Sequence, residues 1–165
     1  MTSMVHLAGS ALSNARAALR ELRADVADRA HLTQQSAFAE PGDLAILTTE
    51  ECLDLLGGKA VGRLAYVARA GTPDMVPVNY ALEDGDILIR SGPGPKLQAA
   101  QRGERVAFEV DQLDDRAHSG WSVVVVGVAS QLPSERVTGP DPWASGPRRH
   151  TIRVRPERIT GRRLL

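Results

Sequence analysis

"MVPVNYALEDGDILIRSGPGPKLQAAQRG", residues 75–103, changes character three times. Its first third, through Leu82, is rich in residues that favour strands. "EDGD" at 83–86 then places a glycine where a tight hairpin turn needs positive φ. "DILIRS" at 86–91 reads as the next strand. The chain reverses through a Gly/Pro loop, and Pro95 suits the first position of a helix, where its missing N–H costs nothing. Lys96 falls in that helix's first turn. Free backbone N–H groups there favour an anion and disfavour a cation, so an anion beside Lys96 would remove the conflict. A P-loop needs a glycine directly before the lysine and Ser or Thr after it; Pro95 and Leu97 stand there instead. "GPGPKL" also lacks the third glycine and the parallel context of a dinucleotide fingerprint. Two readings stay open on spacing alone: an anion site near Arg90, Ser91 and Lys96, or a surface loop with a solvated lysine.

The strand-like pattern extends to both sides. "VGRLAYVAR" (61–69), "RVAFEVDQL" (105–113), "GWSVVVVGVASQL" (120–132) and "HTIRVRPERITGRRLL" (150–165) alternate or run apolar. With the two strands of the opening stretch, that makes about six, joined mostly by short turns, so antiparallel order is expected. Several are apolar on both faces and must be covered twice, as in a small barrel whose outside is partly buried by a partner. The class expected is mainly β (α+β). Arg63 interrupts the first of these strands. A charge there should pair with an acid, bind an anion or project from an edge, because desolvating it alone is costly.

"LTTEECLDLLGGKA", residues 47–60, is a short helix. Thr48 and Glu51 match a capping box, Leu53, Leu55 and Leu56 supply the buried side, and Gly57-Gly58 ends it. Cys52 sits mid-helix and is expected to be a small core residue. Residues 1–42 differ in character. Leu12, Ala15, Leu19, Leu22 and Val26 recur at helical spacing, which predicts an amphipathic helix over about 10–31. That segment reads as an arm and linker ahead of a domain at 43–165. "LPSERVTGPDPWASGPRR" (132–149) is a long polar loop, of the kind that is often functional or mobile. Trp143 within it and the "RPERITGRR" tail are expected to serve packing and surface charge.

Composition narrows the classes. Twenty Lys+Arg balance twenty Asp+Glu among 165 residues, so no global field argues for nucleic acid or an anionic membrane. One cysteine excludes an intrachain disulfide framework and a thiolate metal cluster. No run approaches the ~20 apolar residues of a membrane span, and no signal-peptide order opens the chain. A cytoplasmic protein is the expectation.

One ordered set of pieces carries a resemblance. It comprises an arginine in the first strand, P-V-N-Y in the second, G-P-G-P-K-L after the third, and G-W-S-V opening a long strand. Over residues 45–165 the chain resembles the pyridoxamine 5′-phosphate oxidase-like split-barrel flavoproteins. The resemblance implies a six-stranded antiparallel split β-barrel with short helices. It implies a homodimer with FMN in a cleft between subunits. By position, Arg63 and Lys96 would contact the FMN phosphate, with Ser91 and Arg90 beside them. Leu64 and Ala65 would offer backbone near the flavin, and Val78, Asn79 and Tyr80 would line its ring. Trp121 and Ser122 would approach from the other subunit. The activity implied is a flavin-dependent oxidoreductase that takes electrons from a nicotinamide cofactor and acts on a small organic acceptor.

The basic residues and histidine that grip the substrate phosphate in the oxidase itself have no counterpart here, so pyridoxamine phosphate oxidation is not expected. No acid/base pair stands out either. Three alternatives accompany the main reading. A deazaflavin coenzyme would call on Arg90, Arg102 and Arg105. A non-catalytic module would store or sense a flavin or bind a tetrapyrrole, and haem would need an axial ligand from His6, His31, His118 or His150. A barrel without ligand would act through its N-terminal helix.

Overall fold

The computed structural model describes residues 44–133 and 139–164. The arm expected over residues 1–42 lies outside the described residues. The elements run β1 (Leu44–Leu47), α1 (Thr49–Gly57), β2 (Val61–Val67), β3 (Pro73–Asn79), β4 (Ala81–Glu83), β5 (Asp86–Ser91), α2 (Pro95–Gln101), β6 (Arg105–Asp114), β7 (Ser119–Gln131) and β8 (His150–Leu164). All strands join one antiparallel sheet in the order β3-β2-β6-β7-β8-β5-β4, and β1 adds to the far end of β8. The sheet curls until β3, at one end of the path, approaches β5 near the other. That meeting is a split, because no ladder joins the two strands.

The described residues form eight strands where about six are expected from sequence. "LAIL" at 44–47 is an added edge strand. The other difference is a break within "MVPVNYAL". The Tyr80 backbone N–H donates to Ala60 O at 3.3 Å, and its hydroxyl donates to Leu56 O. Held at that corner, the chain leaves β2 and crosses to β5, so β3 pairs with β2 while β4 pairs with β5. One apolar run therefore supplies both lips of the split.

Local chemistry sets the remaining boundaries. Thr48 and Glu51 form the full capping box: Glu51 Oε2 accepts from Thr48 N at 2.8 Å, and Thr48 Oγ1 accepts from Glu51 N at 3.3 Å. Asp84 and Gly85 both take positive φ, 54° and 76°, as a two-residue hairpin turn requires. Pro95 opens α2 as its first residue.

Inward residues of every long strand meet in one core that includes Leu64, Ile87, Ile89, Phe108, Val110, Val123, Val125, Ile152 and Val154. Phe108 is fully buried and meets Tyr80 edge-on, with ring centroids 4.7 Å apart. Gly62 faces it; a Cβ there would lie 2.3 Å from Phe108 Cζ, so the site admits only glycine. Cys52 is buried beside Gly161, where burial pushes its thiol up to about 11. It is a core residue, as expected.

The outward face carries two neighbouring rows. Met75, Ala65, Ala107 and Val126 are register partners across β3, β2, β6 and β7. The next row is Pro77, Arg63, Glu109 and Val124. Val124, Val126 and Val128 are half-buried, whereas Met75 is 58% exposed.

Candidate cofactor site at the split

The split holds a cavity of about 140 Å³, lined by Pro77, Val78 and Asn79 of β3, Arg90 of β5, Lys96 of α2, and Pro142, Ala144 and Arg148 of the long loop. Each wall has a local cause. β3 is an edge strand, so its outer side is open. Arg90 is next to last in β5, and the Gly/Pro loop after it folds back so that α2 delivers Lys96 to the same place.

The cavity is cationic. Lys96 is half-buried, and among the described residues no carboxylate pairs with it. Loss of water, followed by repulsion from Arg148, lowers its pKa below the usual lysine value. Arg148 Nε is buried with no hydrogen-bond partner among the described residues. Two cations held together, one with a stranded donor, fit an anion that accepts from both.

Arg90 plays a different part. Its Nε and Nη2 donate to Arg148 O at 3.2 Å each, and its Nη1 meets Asp141 Oδ1 at 3.2 Å. Arg90 thus ties both ends of the 141–148 segment to β5. Asn79 ties its middle: Asn79 Oδ1 accepts from Trp143 N at 2.9 Å, while Asn79 Nδ2 donates to Ala60 O at 3.3 Å.

Of the residues singled out from sequence, Val78, Asn79, Arg90 and Lys96 meet at this cavity. Ser91 does not line it; it is fully buried and its hydroxyl donates to Gly92 O at 2.7 Å. Tyr80 is a core residue with its hydroxyl committed to Leu56. Leu64 points into the core and Ala65 lies half-buried on the outer face. Arg63 shares that outer face and turns across β6, where its Nη1 meets Glu109 Oε2 at 2.8 Å and Asp111 Oδ1 at 2.9 Å. Trp121 and Ser122 sit on β7, away from the cavity lining. Trp121 packs against the core, with Lys59 Nζ 5.7 Å from its ring centroid.

Arg148, Pro142 and Ala144 were not singled out, and Pro77 entered only as the first residue of the P-V-N-Y motif. The signal was the long Gly/Pro-rich loop with its "GPRR" segment. Trp143 departs from the expected packing role, because it is 76% exposed at the cavity's rim. Arg102 and Arg105 pair with Glu104 and Glu157 and do not line the cavity. His118 is exposed in the β6–β7 turn, and His150 Nδ1 lies 3.3 Å from Gln131 Nε2. His6 and His31 lie outside the described residues. Among the described residues, no helix is long and apolar enough to cross a membrane, and no three His, Cys, Asp or Glu side chains group as metal ligands.

Comparison with known proteins places this geometry. The uncharacterized protein Rv0080 of Mycobacterium tuberculosis is 33% identical over 129 residues, covering 72% of this chain and 84% of that protein. A 5a,11a-dehydrotetracycline/5a,11a-dehydrooxytetracycline reductase of Streptomyces rimosus is 33% identical over 92 residues, 52% of this chain and 65% of the reductase. A solved FAD binding protein from Mycobacterium smegmatis superposes with a TM-score of 0.57 at 34% identity, over 74% of this chain and 99% of that one. The family described as pyridoxamine 5′-phosphate oxidase matches residues 48–163, which span the split barrel from the cap of α1 to the end of β8. The chain belongs to the pyridoxamine 5′-phosphate oxidase family.

Proposed function

We propose that this protein binds a flavin nucleotide, FMN, with the phosphate between Lys96 and Arg148, and that it serves as a flavin-dependent oxidoreductase on a small organic acceptor. The observation that carries the reading is the cation pair in the split, desolvated and lacking a carboxylate for Lys96 among the described residues. The names of the M. smegmatis protein and the S. rimosus reductase support a flavin and a reduction, respectively.

Size decides how much of the ligand enters. Pockets that enclose a whole drug-sized ligand run to about 300–1,000 Å³. A cavity of about 140 Å³ takes an anionic headgroup and leaves the ring outside. The ring then needs a further wall. A second copy of the chain provides one if the protein is a homodimer joined through the apolar row Met75, Ala65, Ala107 and Val126. Val78 and Asn79 would then lie along the ligand as it leaves the cavity, and Trp121 and Ser122 of a second copy are the expected far wall.

What a bound flavin supplies is two-electron chemistry: uptake of a hydride from a reduced nicotinamide, and release of two electrons with protons to an acceptor. The chain's own part is to bind, orient and exclude water. Lys96 and Arg148 hold the anion, Arg90 holds Arg148, and Asn79 fixes the loop against β3.

The enzymatic half is tested by mixing FMN-loaded protein with NADH or NADPH without oxygen and following flavin absorbance. Bleaching within seconds, reversed by an organic acceptor, is the expected result. FMN-loaded protein that stays oxidised with both donors defeats the oxidoreductase reading and leaves a flavin-binding module.

A further inference from the structure

The rim of the cavity carries a feature that the anion does not use. Pro142 and Ala144 line the cavity, and Trp143 between them is 76% exposed. A tryptophan in contact with water loses much of the stabilisation that burial of its large ring gives. Its backbone is nevertheless fixed. The Trp143 N–H donates to Asn79 Oδ1, and the segment on either side is tied by Arg90 to Asp141 and Arg148. The fold therefore holds an indole out of the core, beside an anion site too small for more than a headgroup. Those two facts fit a ligand that carries both an anionic group and a flat ring.

We propose that Trp143 is the aromatic platform of this site, stacking on the flat ring of a ligand whose anion lies between Lys96 and Arg148. The proposal rests on the flavin reading and adds to it the residue that holds the ring. It also makes the 139–149 loop a two-part clamp: Arg148 meets the anion and Trp143 the ring. Arg90 and Asn79 are positioning residues, since each acts through the loop. Stacking tolerates different rings because every aromatic ligand offers a π face.

The test uses the full chain and FMN, followed by flavin fluorescence, with inorganic phosphate titrated as a competitor. Trp143→Ala should weaken FMN binding about tenfold, and Trp143→Phe should retain most of the affinity. The competition constant of phosphate should be the same in the parent and both variants. Mass in solution should also be unchanged. Because Trp143 is exposed, both variants should melt with the parent, which a thermal scan checks. An unaltered FMN affinity in Trp143→Ala overturns the platform. So does an equal loss of FMN and phosphate, which would make the tryptophan a support for the anion site alone. A fall in mass would make it an interface anchor and overturn it as well. If the parent itself binds no FMN, the flavin reading fails, and the platform fails with it.

Discussion

Arg90 donates from both Nε and Nη2 to the carbonyl oxygen of Arg148, each at 3.2 Å. A cation that lines the cavity is thus spent on the backbone of Arg148, the cation proposed to hold the phosphate with Lys96. A planar guanidinium can make this paired contact and an ammonium cannot. Arg90→Ala should therefore lower stability by about 1–2 kcal/mol and weaken FMN binding through the loop. Arg90→Lys should recover little of either. Full recovery by lysine, measured by melting and titration, would show that charge alone matters at this position.

Lys96→Ala should move two observables in opposite directions. The ammonium is desolvated and faces Arg148, so its removal relieves a cost in the ligand-free protein. The ligand-free variant should melt at or above the parent temperature. Its FMN affinity should fall at least tenfold, as befits a charge-assisted hydrogen bond of about 1.5–3 kcal/mol. A variant that melts well below the parent would show that Lys96 has a stabilising role in the ligand-free fold.

The same lysine sets a pH dependence. Its pKa in the ligand-free protein lies below 10.5, and a bound phosphate would raise it. Binding therefore takes up a proton in the window between the lowered and the raised values. FMN affinity should be flat near neutrality, where the lysine is charged, and should fall as pH rises through the lowered value. In the ligand-free protein the sign is reversed. The charged form is the disfavoured one, so the cost is present at neutral pH and is relieved as pH climbs toward the unfolded value. Titrations from pH 7 to about 10 check the first statement, and Lys96→Ala should abolish the slope.

Arg63 gives a quantitative contrast. Its side chain is 48% exposed and answers two carboxylates, Glu109 and Asp111. Exposed pairs contribute little because water screens them, so Arg63→Ala should melt close to the parent. Its FMN affinity should fall less than that of Lys96→Ala. The reverse order would mean that Arg63 leaves its carboxylates to meet the phosphate.

The outer apolar row can be tested by mass. Met75 is 58% exposed at the end of the Met75–Ala65–Ala107–Val126 row. If a second copy covers that row, the parent should run as a dimer. Met75→Glu should then shift it toward monomer and weaken flavin binding with it. A parent that runs as a monomer at the concentrations where it binds FMN would place the ring's second wall within one chain.

Sequence made the helix-starting and turn chemistry legible because each signal is local. The Thr48–Glu51 box, the Asp84–Gly85 turn and Pro95 at the head of α2 depend on residues within a few positions of each other. Lys96 was legible for the same reason. The corner at Tyr80 was not, since it depends on Ala60 and Leu56, which reach it only through the fold. Arg63 and Arg90 were both visible as charges near the right strands, yet their partners lie 46 and 58 positions away. Arg148 was hidden in a loop without periodicity, where no pattern says which arginine turns inward.

The most direct measurement is an equilibrium titration of ligand-free protein with FMN, repeated with Lys96→Ala and Arg148→Ala and competed with inorganic phosphate. The expected result is saturable binding in the parent, displaced by phosphate and weakened at least tenfold in each variant. Parent binding that neither variant alters and phosphate does not displace would contradict an anion site at the split.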